Sequence, residues 1–148
     1  MSGSKNLTPY AVPVGGLPAQ SERLADRAIF TTAYAVIPKT VMTDIVTSYL
    51  PFWDATRLWV LARPLSGFSE SFSHYLMEVA AGGGSSRPDD DIDAQHVLFV
   101  VSGTIMLGFN SKSVSLSAGG YAYLPAGLAW TTRNTSDEKA VFHWIRKR

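Results

Sequence analysis

Apolar and polar positions alternate along much of this chain in short runs rather than in long helical stripes. Ile105, Leu107 and Phe109 fall on one face of such a run, and Tyr75, Met77 and Val79 on one face of another, because side chains two apart on a strand point the same way. Phe142 and Trp144 form a third set. The pattern predicts strands over 28–36, 43–49, 56–63, 71–80, 96–101, 104–110, 112–116, 120–124, 129–133 and 140–146. Breaks are expected at Pro38, at Pro51, from Pro64 to Gly67, at Gly82-Gly83-Gly84, at Ser102-Gly103, at Asn110-Ser111 and from Pro125 to Gly127. Many short strands with scarcely any 3.6-residue period indicate an all-β sandwich or barrel. A jelly-roll arrangement also limits the exposed strand edges that such a chain must manage.

The first twenty residues read differently. Pro9, Pro13 and Pro18 rule out a regular helix, and Gly15-Gly16 adds a flexible point. Residues 1–20 are therefore expected to form an extended arm, followed by a single domain over 21–148, with Ser21 able to cap one helical turn. The chain has 148 residues, a formal net charge of +1 and no cysteine. Disulfides, zinc–thiolate sites and thiol nucleophiles are thereby excluded. The only basic cluster, Arg146-Lys147-Arg148, is expected to be a solvated tail, and a nucleic-acid partner is not indicated. No run has the length of a signal-peptide core or a membrane span, so a cytoplasmic protein is expected.

Two spaced patterns lie in the second half. Gly119, Pro125, Gly127, Trp130 and Asn134 reproduce the spacing of the second cupin motif, G-x5-P-x-G-x2-H-x3-N, with Trp130 in place of the histidine. Gly84, Asp90, Ile92, His96 and Gly103 reproduce that of the first, G-x5-H-x-H-x3-E-x6-G, with Asp90, Ile92 and His96 at its ligand positions. The chain thus resembles a cupin (RmlC-like) jelly-roll barrel. Ligands one residue apart on a strand share a face, which is how such a motif surrounds an ion. Here Asp90 and His96 are acceptable ligand types, but Ile92 has no lone pair and an indole is a donor only. Two ligands fall short of the three that catalytic zinc keeps, or of the oxygen set favoured by manganese. No metal or other cofactor is expected in this chain.

A finer resemblance covers the chain from about Ser21. Leu24 to Phe30, Val41 to Trp53 and the ending Phe142 to Arg148 are similar to segments of the (S)-ureidoglycine aminohydrolases, also known as glyoxylate-induced proteins of allantoin catabolism. These are bicupins, and the resemblance is to their N-terminal half. It implies that the family's manganese, held by a Glu-x-His-x3-His pattern and a later Gln, sits in a C-terminal cupin absent here. Hydrolytic release of ammonia from ureidoglycine would belong to that cupin. This half would then be a scaffold that packs against it or against a second subunit in a homo-oligomer, presenting an unusually apolar face when isolated. Two alternatives stand beside it. One is a free-standing cupin that binds a small polar ligand without turnover, its pocket lined by His96, Tyr123 and Trp130. The other is a divergent enzyme using His96 with a nearby Asp or Gln.

The remaining candidates have plainer expectations. His74 and Glu78, four apart on a strand, share a face opposite Tyr75, Met77 and Val79; an acid–base pair is imaginable there, a solvated or interdomain surface more so. His143 lies on the face opposite Phe142 and Trp144 and is expected to be exposed or hydrogen-bonded. Asp89, Asp90, Asp91 and Asp93 lack the spacing and glycine of an EF-hand and read as a solvated acidic loop. Trp53, Trp59 and Trp144 are expected in the core or an interface, and Trp130 in the barrel mouth.

Overall fold

The computed structural model of the protein describes residues 28–30, 33–38, 50–63, 71–88 and 90–148. The expected arm over 1–20, the turn at Ser21 and the strand over 43–49 lie outside the described residues. Within them the order is β1 (Ile29–Phe30), β2 (Ala35–Val36), β3 (Trp53–Ala62), β4 (Phe72–Ser85), β5 (Gln95–Ser102), β6 (Thr104–Phe109), β7 (Lys112–Ser117), β8 (Tyr121–Leu124), β9 (Trp130–Arg133) and β10 (Ala140–Lys147). β1 and β2 pair as a small ribbon, while the others form one antiparallel sheet in the order β7-β6-β9-β4-β10-β5-β8, with β3 beside β4. Chain neighbours are seldom sheet neighbours, and the result is an antiparallel jelly-roll barrel. No helix among the described residues is long and apolar enough to cross a membrane.

Alternation decides which side chains fill the barrel. Leu58 of β3, Met77 and Val79 of β4, Leu98 and Val100 of β5, Ile105 and Leu107 of β6, and Phe142 and Trp144 of β10 form one buried cluster with Trp53 and Trp130. Trp59, Leu76 and Val141 form a second cluster on the outer side of the same strands.

The triple glycine, expected as a break, is instead the place where β4 continues. β4 leaves its pairing with β10 and joins β9, with Gly84 opposite Arg133 and Ser85 opposite Thr132, while β3 stays on its other side, with Asp54 opposite Gly84 and Trp53 opposite Ser85. Backbones converge there: Gly82 N–H donates to the Asn134 carbonyl at 2.8 Å, and Asn134 N–H donates to the Gly83 carbonyl at 2.8 Å. A methyl group on Gly84 would run into the Thr132 carbonyl, and the residue sits at φ 145°, where side chains are strongly disfavoured. In this strand glycine marks a close backbone approach rather than a turn. Gly103 does serve a turn, between β5 and β6 at φ 73°.

Asn134, the last residue of the second motif, holds the join from the other side. It is fully buried. Its Nδ2 donates to the carbonyls of Val79 at 3.0 Å and Glu138 at 2.7 Å. Its Oδ1 accepts from Ser136 N–H at 3.1 Å and from Ser136 Oγ at 2.7 Å. One side chain thus ties the β9–β10 connection to β4. We predict that Asn134→Ala lowers stability by about 2–3 kcal/mol, since it orphans a buried carbonyl of β4. Asn134→Asp should cost more, because it turns a second oxygen toward two carbonyls. Urea unfolding of the three proteins measures both effects.

Candidate functional site

The mouth of the barrel is built around His96. On β5, His96, Leu98 and Val100 point inward, and β9 places Trp130 over the imidazole, edge-on with centroids 5.1 Å apart. Trp144 reaches up from β10, and its Nε1–H donates to His96 Nδ1 at 3.1 Å. That bond assigns the acceptor role to Nδ1 and leaves the neutral ring's proton on Nε2. Trp130 and Trp144 meet edge-to-face at 6.0 Å, with Trp53 at 5.6 Å and Tyr75 at 5.2 Å on the far sides of Trp144. His96 itself is 4 % exposed. The imidazole is one member of an aromatic stack.

Above this floor opens a cavity of about 700 Å³, with Arg87, Asp90, Asp91 and Lys112 on its walls and His96 and Trp130 at its base. Its lip is a latched loop. Asp93 N–H donates to Asp91 Oδ1 at 3.1 Å, and Gly127 N–H donates to the Ile92 carbonyl at 2.8 Å. Asp91 also receives Arg146 Nη2 at 2.8 Å and lies 3.7 Å from Arg148 Nε. The basic C-terminal cluster is therefore no solvated tail: two of its members clamp the acidic loop. Asp89 lies outside the described residues.

Of the four motif positions, the structure brings only His96 and Trp130 together. Asp90 and Ile92 precede β5, in a turn rather than on a strand, so the rule that alternate residues share a face does not reach them. Ile92 is 76 % exposed. Asp90 is turned to Arg87 at 2.9 Å, with both side chains largely in solvent. Tyr123, expected on the pocket wall, stands on the opposite face of its strand. Leu124 pairs with His96 and points inward, so Tyr123 points outward, 52 % exposed, and its hydroxyl donates to Gln95 Oε1 at 2.6 Å. Arg87 and Lys112 were not legible as wall residues, since neither belongs to a motif.

A divalent ion does not fit this mouth. His96 Nδ1 already accepts from Trp144. Trp130 presents a buried N–H with no hydrogen-bond partner among the described residues, which repels a cation and offers it no lone pair. Among the described residues, no three His, Cys, Asp or Glu side chains gather as a ligand set.

On the outer face, His74 and Glu78 do share a side of β4, but not a partner. Glu78 takes Arg57 at 2.8 Å and Lys139 at 3.6 Å. His74 Nε2 lies 2.8 Å from Nδ1 of His143 on β10, 69 residues away in sequence. Farther along the same face, Phe99, Val101, Tyr121 and Tyr123 are exposed, with Phe99 opposite Tyr121 and Val97 opposite Tyr123.

Comparison with known proteins follows the same lines. Residues 75–146 match a family model described as a cupin domain. The chain is 28 % identical over 104 residues to the (S)-ureidoglycine aminohydrolase of Escherichia coli strain K12, spanning 70 % of this chain and 39 % of that one. A crystal structure of a protein from Pseudomonas aeruginosa, described as glyoxylate-induced, superposes with a TM-score of 0.77 at 54 % identity over 93 % of this chain and 49 % of that chain. The E. coli protein Ylba gives 0.75 at 26 % identity, over 88 % and 52 %. The chain spans about half the length of these two structures and less of the curated enzyme.

The histidine pair sets a pH dependence. Burial, and then the neighbouring His143, lower the His74 pKa to about 4, and burial lowers that of His143. The unfolded chain takes up these protons near 6.5 while the folded chain refuses them. Their contribution to stability is therefore constant above about pH 6.5 and falls as the pH drops toward 4. We expect the urea midpoint to decline over this window more steeply in the native protein than in a His74→Gln/His143→Gln variant. Equal slopes would refute the assignment.

Proposed function

Because the barrel is a cupin jelly roll, we propose that the chain acts as the metal-less, non-catalytic cupin of a (S)-ureidoglycine aminohydrolase-like protein of ureide catabolism, in the cytoplasm. It corresponds to the N-terminal half of such a bicupin. Its work is to hold a partner barrel, either a C-terminal cupin that carries manganese and the deamination or a second subunit. One observation carries this reading. The turn residues Gly103, Pro125, Gly127 and Asn134 persist around a mouth in which Trp130 and Trp144 occupy His96. The 28 % identity to the E. coli enzyme and the 54 % identity to the glyoxylate-induced protein support the subfamily.

A scaffold needs a surface to dock with, and the outer face of β5 and β8 has the composition of one. Neither QHVLFVVS nor YAYL contains a charged residue. Exposed aromatics with few charges characterise the centre of protein interfaces rather than open surface. We assign the oligomeric contact to this face. The expected result of Phe99→Glu is a shift to monomer in light scattering coupled to gel filtration. A native chain already monomeric at high concentration would contradict the assignment.

A second reading rests on the cavity. Arg87, Asp90, Asp91 and Lys112 on its wall and an aromatic floor suit a small polar ligand bound without turnover.

The favoured reading is tested on the isolated 148-residue chain. Supplied with manganese and ureidoglycine, it should retain no manganese and release no ammonia above the uncatalysed rate. Ammonia release that His96→Ala removes would overturn it and favour a single-cupin enzyme.

A further inference from the structure

The histidine pair on the outer face has no role in the reading above, and its geometry goes beyond a hydrogen bond. We propose that His74 and His143 form a two-imidazole binding site for a late first-row divalent cation, copper(II) or nickel(II).

Both ligands stand on paired central strands, β4 and β10, in fixed register, with His143 opposite Leu76 and His74 opposite Ile145. Their facing nitrogens are 2.8 Å apart. Two metal–nitrogen bonds of about 2.0–2.1 Å closing that separation subtend roughly 85–90° at the metal. This is the angle between adjacent ligands in a square-planar or octahedral ion, and it is narrower than the tetrahedral angle that zinc prefers. Turning each nitrogen's axis by roughly 45° from the N···N line brings both lone pairs to a common point; the ring centroids are 5.0 Å apart, with 48° between planes. The N–H that now bridges the rings passes, through solvent, to the other nitrogen of its own ring as the ion enters, so both ligands stay neutral imidazoles with no net proton released. Both imidazoles are neutral at pH 7, so little proton competition opposes binding.

The surroundings define the rest of the coordination shell. His74 faces Ala62 of β3 and Ile145 of β10, and His143 faces Leu76 of β4 and Phe99 of β5. These residues supply no further ligand, and Glu78 is committed to Arg57 and Lys139. Water completes the shell, which makes this a binding site of moderate affinity. The site is independent of the barrel mouth, and it borders the face assigned above to the oligomeric contact, since His143 lies opposite Phe99.

The chain lends itself to a clean test. It has three histidines and no cysteine, and the third histidine, His96, is buried in the aromatic stack. Copper(II) titrated at pH 7.5 into protein without a histidine tag should bind one-to-one. Its electron paramagnetic resonance spectrum should show coupling to two imidazole nitrogens. Binding should be lost in His74→Gln and in His143→Gln and retained in His96→Gln. Circular dichroism checks that each variant is folded. Should a variant unfold, the native spectrum alone decides, and absence of two-nitrogen coupling overturns the proposal. Binding that survives both single substitutions, or zinc binding tighter than copper, overturns it too.

Discussion

The barrel depends on a passage where two backbones come closer than side chains allow. β4 keeps β3 on one side and changes partner on the other: its first part pairs with β10, and its end pairs with β9. The change of partner happens across Gly82, Gly83 and Gly84, where added methyl groups at the last two would meet carbonyl oxygens of Asp54 and Thr132. Without that approach β9 could not pair with β4, and Trp130 would be placed over His96 from β6 alone, through its pairing with Phe109. Asn134 answers the same constraint in polar terms, because the join leaves buried carbonyls that one amide satisfies.

What the mouth can do follows from how its polar groups are already spent. His96 accepts from one tryptophan and lies under another. Asp91 is held by Arg146, and Asp90 by Arg87. The four side chains that spacing aligns with a ligand set thus belong to three different environments: an aromatic core, a surface ion pair and open solvent. Packing has taken over a position where the cupin motif has a histidine. That substitution is more than a missing ligand, since an indole fills space as well as withholding a lone pair.

Much of this was legible in the chain. The strands expected over 104–110, 112–116 and 140–146 lie within a residue or so of β6, β7 and β10, because each pairs clean alternation with an adjacent turn residue. Motif spacing correctly singled out Gly103, Gly127 and Asn134. The misreadings share a physical origin, since glycine and residue spacing are ambiguous until strand boundaries are known. Gly82 to Gly84 looked like a turn because glycine serves turns and close approaches alike. Asp90 and Ile92 were aligned with ligand positions by motif spacing, which does not tell that both precede β5 in a turn. Tyr123 looked like a pocket wall because the direction of its alternation depends on Leu124 pairing with His96. The His74–His143 pair needed the register of two distant strands, which no local pattern contains.

The clamp between Arg146 and Asp91 has a mechanical side. β10 lies between β4 and β5, zipped to both along most of its length. Tension applied at the C-terminal end would load two ladders in shear, the direction in which all their hydrogen bonds resist together. Part of that load would pass through Arg146 to the lip of the cavity. Whatever pulls or anchors the chain beyond β10 therefore has a direct grip on the shape of the opening, although it touches neither His96 nor Trp130.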